Sequence, residues 1–217
     1  MSTPPTIAGF VHRFAPARGA SRRTLLLLHG TGGDEHDLAP LAEALDAEAA
    51  QLAPRGAVIE HGMPRFFRRI AEGVFDQEDL TRRTRDLAAF VRAAVATYAL
   101  DASAIVAVGF SNGANIAASL LFREPGLLAG AALFSPMVPF EPAAGLDLGG
   151  TRVLIVAGTS DPIAPLAGAE RLADLLRAAR ADVTLATQPG GHGIAREGLD
   201  AARRWLVARG RPPARGA

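Results

Sequence analysis

A serine stands between two glycines in "VGFSNGAN", where Ser111 is flanked by Gly109 and Gly113. A serine hydroxyl is a weak nucleophile until a base takes its proton, an acid orients that base and donors receive the developing charge. Two further loops carry candidates for those roles. Asp161 lies in "GTSDPIAP", and His192 lies in "PGGHGI" with three glycines around it. Of the five histidines, only His192 follows the aspartate along the chain. The order Ser, Asp, His is one of the known orders of a nucleophile–acid–base triad. A fourth loop, "HGTGG", would leave the backbone N–H of Thr31 free. Paired with the N–H of Asn112, it would supply two donors to an oxyanion.

Each of these residues also has a plain structural reading. Ser111 could cap a helix, since serine is a favoured N-cap. Asp161 before Pro162 is an ordinary helix-start signal. A match to Gly-x-Ser-x-Gly is weak by itself. The context strengthens it: an apolar run leads into the serine, a helical pattern leads out, and small flanking residues allow so sharp a reversal. His29, Asp34, Glu35, His36 and Asp37 form a rival, metal-binding set, but their spacing matches no known ligand pattern.

The elements that must position these loops follow from hydrophobic patterning. Strands are expected at Phe10–Phe14, Thr24–Leu28, Ala50–Ala53, Ala104–Val108, Ala129–Phe134, Arg152–Ala157 and Asp182–Ala186. Several are continuous apolar runs, as in strands covered on both faces of a parallel sheet. Helices are expected at Asp37–Asp46, Gln77–Tyr98, Gly113–Phe122, Pro165–Arg180 and Glu197–Arg209. Alternation of the two implies an α/β fold with helices on both faces. Ligands of such sheets bind at the carboxyl ends of the strands, and all four loops named above follow strands.

Composition narrows the chemistry. The 217 residues suit one domain, expected over 1–208, with "RGRPPARGA" (209–217) as a flexible tail. Hydrophobic residues at 49% and charged residues at 21% are ordinary for a globular chain. A net charge of +1 offers nucleic acid no electrostatic attraction. The absence of cysteine excludes thiolate catalysis, and the absence of lysine excludes a Ser-Lys dyad or a Schiff base. The amino terminus lacks the pattern of a signal peptide, and no apolar run approaches the ~18 residues of a membrane span. A cytoplasmic protein, monomer or homodimer, is the expectation.

The stretches "LLLLHGTGGDEHDLAPLA", "LAPRG", "GFSNGANIA", "GTSDPIAP" and "GGHGI" resemble, in order, the landmarks of the phospholipase/carboxylesterase family of α/β-hydrolases, which includes acyl-protein thioesterases. The segment "GMPRFFRRIAEGVFDQEDL" is similar to that of small bacterial carboxylesterases. The resemblance implies an α/β-hydrolase fold with a mostly parallel twisted sheet and no large cap domain. It implies catalytic Ser111, Asp161 and His192, an oxyanion hole at Thr31 and Asn112, and hydrolysis of small to medium esters without a cofactor or metal. Asn112 departs from the glutamine usual in the thioesterases, which bears on a lipidated-protein substrate and not on catalysis by a backbone N–H. Phe66, Phe67, Phe75 and Met137 are candidates to line the substrate site or to be core. Arg65 and Arg68 are either solvated or positioned for an anionic substrate group. Thioesterase or lysophospholipase activity on the same triad, and a ligand-binding receptor on the same shell, are the alternatives.

Overall fold

The apolar runs are sorted residue by residue between two cores. Leu26, Leu28, Ala131, Leu133, Val153 and Ile155 face one hydrophobic cluster, and Leu25, Leu27, Ala132, Phe134, Leu154 and Val156 face the other. Because side chains alternate along a strand, a strand covered on both faces has to be apolar at every position. That is the pattern read from the sequence.

A computed structural model describes residues 6–208. The expected tail, 209–217, and the last residue of the expected fifth helix, Arg209, lie outside the described residues. The strands are β1 (Thr6–Ile7), β2 (Phe10–Ala15), β3 (Thr24–Leu28), β4 (Ala50–Pro54), β5 (Val58–Glu60), β6 (Met63–Arg65), β7 (Arg69–Ala71), β8 (Val74–Phe75), β9 (Ile105–Phe110), β10 (Gly130–Phe134), β11 (Arg152–Gly158) and β12 (Asp182–Gln188). The helices are α1 (Ala39–Leu45), α2 (Gln77–Tyr98), α3 (Asn112–Arg123), α4 (Leu166–Ala178) and α5 (Arg196–Val207). Eight strands form one sheet in the order β1-β2-β4-β3-β9-β10-β11-β12. From β4 onward in that order every pairing is parallel, while β2 pairs antiparallel with β1 and β4.

Helices α2, α3 and α4 cover one face, around Leu87, Phe90, Ile116, Leu120 and Leu172. Helices α1 and α5 cover the other, around Ala42, Leu45, Ala202 and Trp205. Among the described residues, no helix is long and apolar enough to cross a membrane.

The differences from the sequence reading are local. Helix α1 starts at Ala39 rather than Asp37, because turns through Asp34–Asp37 and His36–Ala39 precede Pro40 in the first turn. Helix α4 begins after Pro165, which serves as its N-cap residue. The segment 55–75, which falls between the expected strands and helices, contains two hairpins, β5–β6 and β7–β8, outside the main sheet. Strands of two or three residues are too short to show a period. Between β10 and β11, no helix or strand interrupts residues 135–151, so no lid helix is inserted there.

Candidate active site

The turn from β9 into α3 is built around two glycines. A Cβ on Gly113 would stand 1.9 Å from the carbonyl oxygen of Leu28, and one on Gly109 would stand 2.6 Å from that of Gly113. Backbone therefore approaches backbone too closely for any side chain at either place. Between them Ser111 is held at φ 51 and ψ −115. Such a conformation is strained for a residue with a Cβ and persists where the surroundings enforce it. The enforcement is visible: the Ser111 N–H donates to Phe134 O at 2.9 Å, and Ser111 O accepts from Asn115 N–H at 2.9 Å.

Ser111 occupies the N-cap position of α3, yet its side chain makes no capping bond. Its Oγ lies 2.8 Å from Nε2 of His192 instead. The other ring nitrogen, Nδ1, is 2.8 Å from Oδ2 of Asp161. A carboxylate only accepts, so the proton sits on Nδ1, and Nε2 is left to accept from the serine hydroxyl. His192 is 16% exposed and Asp161 is fully covered.

The two oxygens of Asp161 are used differently, and neither caps α4, which begins four residues beyond Pro162 at Leu166. Oδ1 accepts the N–H groups of Ile163 and Ala164, each at 2.9 Å, while Oδ2 faces the histidine. Burial opposes the charge on this carboxylate. The two amides and the imidazole outweigh that penalty, and its pKa lies below the ordinary aspartate value.

The histidine loop is stapled by a residue the sequence reading missed. Gln188, buried at the end of β12, donates from Nε2 to Gly193 O at 2.6 Å and accepts from Ala195 N–H at 3.0 Å. On the strand side, a Cβ on Gly158 would meet the carbonyl oxygens of Gly191 and Gly190 at 2.6 and 2.7 Å. The Phe110 ring packs beside the imidazole, with centroids 5.2 Å apart. The strand expected at Asp182–Ala186 stopped short of Gln188, and a polar residue just beyond a strand carries no signal in the sequence.

Thr31 lies on the loop leaving β3, and among the described residues no acceptor meets its N–H. The Asn112 N–H is the first of α3, one of the amides a helix leaves without an internal partner. Both loops are anchored. His29 spans the first, with Nδ1–H donating to Gly30 O at 2.6 Å and Nε2 accepting from Gly56 N–H at 2.9 Å. Burial lowers the pKa of His29 against the pull of Gly30 O and of Asp37, Asp34 and Glu35. Glu35 holds Arg55 through two bonds of 2.5 and 2.7 Å, and Asp34 accepts from the His36 N–H. Of the set read as possible metal ligands, the side chains of His29, Asp34 and Glu35 thus have separate structural tasks. Among the described residues, no three such side chains gather into a ligand cluster.

The aromatic candidates divide. Phe66 and Phe67 are 2% and 0% exposed and belong to the core beneath the site. Phe66 packs on the His29 ring, with centroids 4.7 Å apart, and Phe67 meets Phe75 edge to face at 5.1 Å. Neither offers a face to a substrate, which corrects that expectation; the hairpins turn both rings inward. Phe75 and Met137 are half-buried, and Met137 N–H donates to Oδ1 of Asn115 at 2.7 Å. Exposed apolar side chains at the carboxyl-edge loops are Met63, whose sulfur lies 3.6 Å from where a Cβ on Gly32 would be, and Ile163, two residues after Asp161. Arg68 is exposed beside Asp76 and Asp79, whereas Arg65 is 4% exposed and bonded internally.

The profile of the phospholipase/carboxylesterase family matches residues 12–208. The chain is 46% identical over 188 residues to MhqD of Bacillus subtilis (strain 168), spanning 87% of this chain and 94% of that protein. The crystal structure of the Bacillus cereus carboxylesterase superposes with a TM-score of 0.88 at 49% identity, over 90% of this chain and 92% of the other. A carboxylesterase from Mesorhizobium loti gives a TM-score of 0.88 at 34% identity, over 94% and 96%. Similarity of this extent, on a mostly parallel sheet with its loops gathered at the carboxyl edge, means that the chain belongs to the phospholipase/carboxylesterase family of α/β-hydrolases and is an esterase.

Proposed function

We propose that the protein hydrolyses small to medium carboxylic esters through an acyl-enzyme on Ser111. The observation that carries this reading is the continuous hydrogen-bonded chain from Asp161 through His192 to Ser111, both links at 2.8 Å. Ser111 Oγ attacks the ester carbonyl while its proton passes to Nε2 of His192. Asp161 holds the Nδ1–H tautomer and stabilises the imidazolium. The N–H groups of Thr31 and Asn112 receive the oxyanion, aided by the positive end of α3. His192 then protonates the departing alkoxide, activates water against the acyl-enzyme and returns the proton to Ser111. These side chains and amides supply every proton transfer and charge the cycle requires.

The substrate size follows from what covers the triad. The interval between β10 and β11 contains no helix, Met63 is exposed on the hairpins of 58–75, and Ser111 keeps part of its surface open. A depression of about 300 Å³ beside His192 is lined by Pro189, Gly191, Gly193 and Ile194. Met63, Ile163, Phe75 and Met137 are the apolar side chains assigned to acyl or alcohol contacts.

The deciding experiment is Ser111→Ala assayed on a series of p-nitrophenyl esters, with thioester and lysophospholipid substrates beside them. Ester turnover is expected to vanish, together with labelling by a serine-directed fluorophosphonate, while the melting temperature is kept. Substantial turnover in the variant would remove Ser111 from the mechanism. A preference for the thioester or lysophospholipid would move the substrate class and leave the triad in place.

A further inference from the structure

The two oxyanion amides come from loops far apart in sequence, and one short segment, β6 with the residue after it, is bonded to both. Three consecutive residues make the connections. Pro64 O accepts the Gly32 N–H at 2.9 Å, Arg65 Nη1 donates to Thr31 Oγ1 at 2.9 Å, and the Phe66 N–H donates to Asn112 Oδ1 at 2.8 Å. The strand has no slack of its own. A Cβ on Gly56 would lie 2.4 Å from the carbonyl carbon and oxygen of Arg65, and Val58 pairs with Arg65 across the hairpin.

Arg65 is committed inward rather than toward a ligand. Its side chain is 4% exposed, Nε donates to Phe67 O at 3.2 Å, and Glu60 Oε2 lies 3.4 Å away. Burying a guanidinium is costly unless its donors and its charge are both matched. Here the matching partners include the side chain of an oxyanion-loop residue. With so little of the side chain reaching solvent, direct capture of a substrate anion by Arg65 is disfavoured.

We propose that the Met63–Phe66 segment is a strut that sets the separation of the Thr31 and Asn112 amides, with Arg65 as a positioning residue for ester hydrolysis. The inference rests on the oxyanion role given to those two amides under the proposed function. It explains why an asparagine serves at position 112: its backbone N–H faces the substrate while its short side chain accepts from the strut. It also gives the buried Arg65 a purpose that stability alone does not demand. A strut of this kind acts on the transition state, because the donors must fit the oxyanion rather than the planar ester.

The test uses the full chain and two ketones of one skeleton, a trifluoromethyl ketone and its methyl counterpart. With the first, Ser111 Oγ bonds to the carbonyl carbon, the carbonyl π pair moves onto oxygen, and the serine proton passes to His192. The adduct thus carries the oxyanion. The methyl ketone binds as an unreacted carbonyl. Inhibition constants are compared for wild type, Thr31→Val, Arg65→Met and the double variant. Each single change is expected to weaken the trifluoromethyl ketone on the order of 10- to 100-fold, as for slightly displaced donors. The methyl ketone should move no more than about twofold, since a merely structural loss would shift both ligands together. The double variant should be no worse than Arg65→Met, because both changes cut one bond.

An unchanged ratio between the ketones, or effects that multiply in the double variant, would overturn the strut. Arg65→Met leaves Glu60 paired with Arg69 alone. If it does not fold, Arg65→Met/Glu60→Gln and the Thr31→Val variant, which leaves that pair alone, decide the question. A wild-type enzyme with no preference for the trifluoromethyl ketone, or turnover in Ser111→Ala, would instead refute the underlying esterase mechanism.

Discussion

Replacing Asp161 by asparagine changes one atom, and the local geometry dictates which way the new amide must point. Oδ1 of Asp161 accepts two backbone N–H groups, those of Ile163 and Ala164. An asparagine NH₂ placed there would set donor against two donors, so the amide oxygen has to keep that side. The NH₂ is thereby turned toward Nδ1 of His192, where the carboxylate oxygen stood at 2.8 Å. A donor facing Nδ1 selects the tautomer with its proton on Nε2, and that N–H then points at Ser111 Oγ, where a base is needed. The fold is spared, because both amide acceptor bonds survive in neutral form. Weakening charge-assisted bonds to neutral ones costs about 1–2 kcal/mol, a fall of about 2–4 °C in Tm for each kcal/mol in a chain of this size. Catalysis is not spared. kcat should fall on the order of 10⁴-fold, or about 5.5 kcal/mol in activation free energy, as for the comparable change in other triads. Steady-state hydrolysis of p-nitrophenyl butyrate, with thermal unfolding as the control, measures both. A folded Asp161→Asn enzyme within about tenfold of wild-type kcat would refute the tautomer argument and require another carboxylate behind His192.

Three further outcomes are expected. Gly113→Ala should destabilise the fold by about 3 kcal/mol or more, because its Cβ would meet Leu28 O at 1.9 Å and backbone has to move; a denaturation midpoint like that of wild type would count against the turn geometry. His29 is held neutral by burial, with its folded pKa below the unfolded value of about 6.5. Its contribution to stability is therefore complete above about pH 6.5 and lost as the pH falls through the folded pKa. Unfolding free energy measured against pH should decline in that range with a component absent from His29→Gln, and identical slopes would argue that the buried ring does not matter. For substrates, kcat/KM should peak at short or medium acyl chains, since each methylene gains its ~0.8 kcal/mol only while it touches an apolar wall. Rates that climb to palmitoyl esters, or jump where substrate forms micelles, would reveal a tunnel or a moving lid.

What the sequence determined by itself is whatever local chemistry enforces. Continuous short runs such as Leu25–Leu28 and Val153–Val156, bounded by polar and glycine-rich loops, read as strands covered on both faces, and they proved to alternate between the two cores. The glycines around Ser111 were legible because a reversal that tight excludes side chains, wherever the rest of the chain goes. The loops carrying Ser111, Asp161 and His192 could be read as facing one edge, because parallel strands put their carboxyl ends together.

Other features depended on contacts that no local pattern encodes. Phe66 and Phe67 looked able to line a pocket, and the same composition serves a core; only the hairpins, too short to show a period, turned them onto His29 and Phe75. The sequence favoured a nucleophile over a helix cap at Ser111, but both readings use the same residue at the same place, and no local pattern gives its distance from a histidine. The distance to His192 was decided by β9, β11 and β12 lying in register and by Gln188 closing the histidine loop. Arg65 is the extreme case. The sequence left Arg65 either solvated or positioned for an anionic substrate group, and its burial against Thr31 and Glu60 exists only once the 55–75 segment has folded back over the loop after β3. Hydrogen bonds between residues distant in sequence leave no periodicity behind, so the tertiary structure alone could place them.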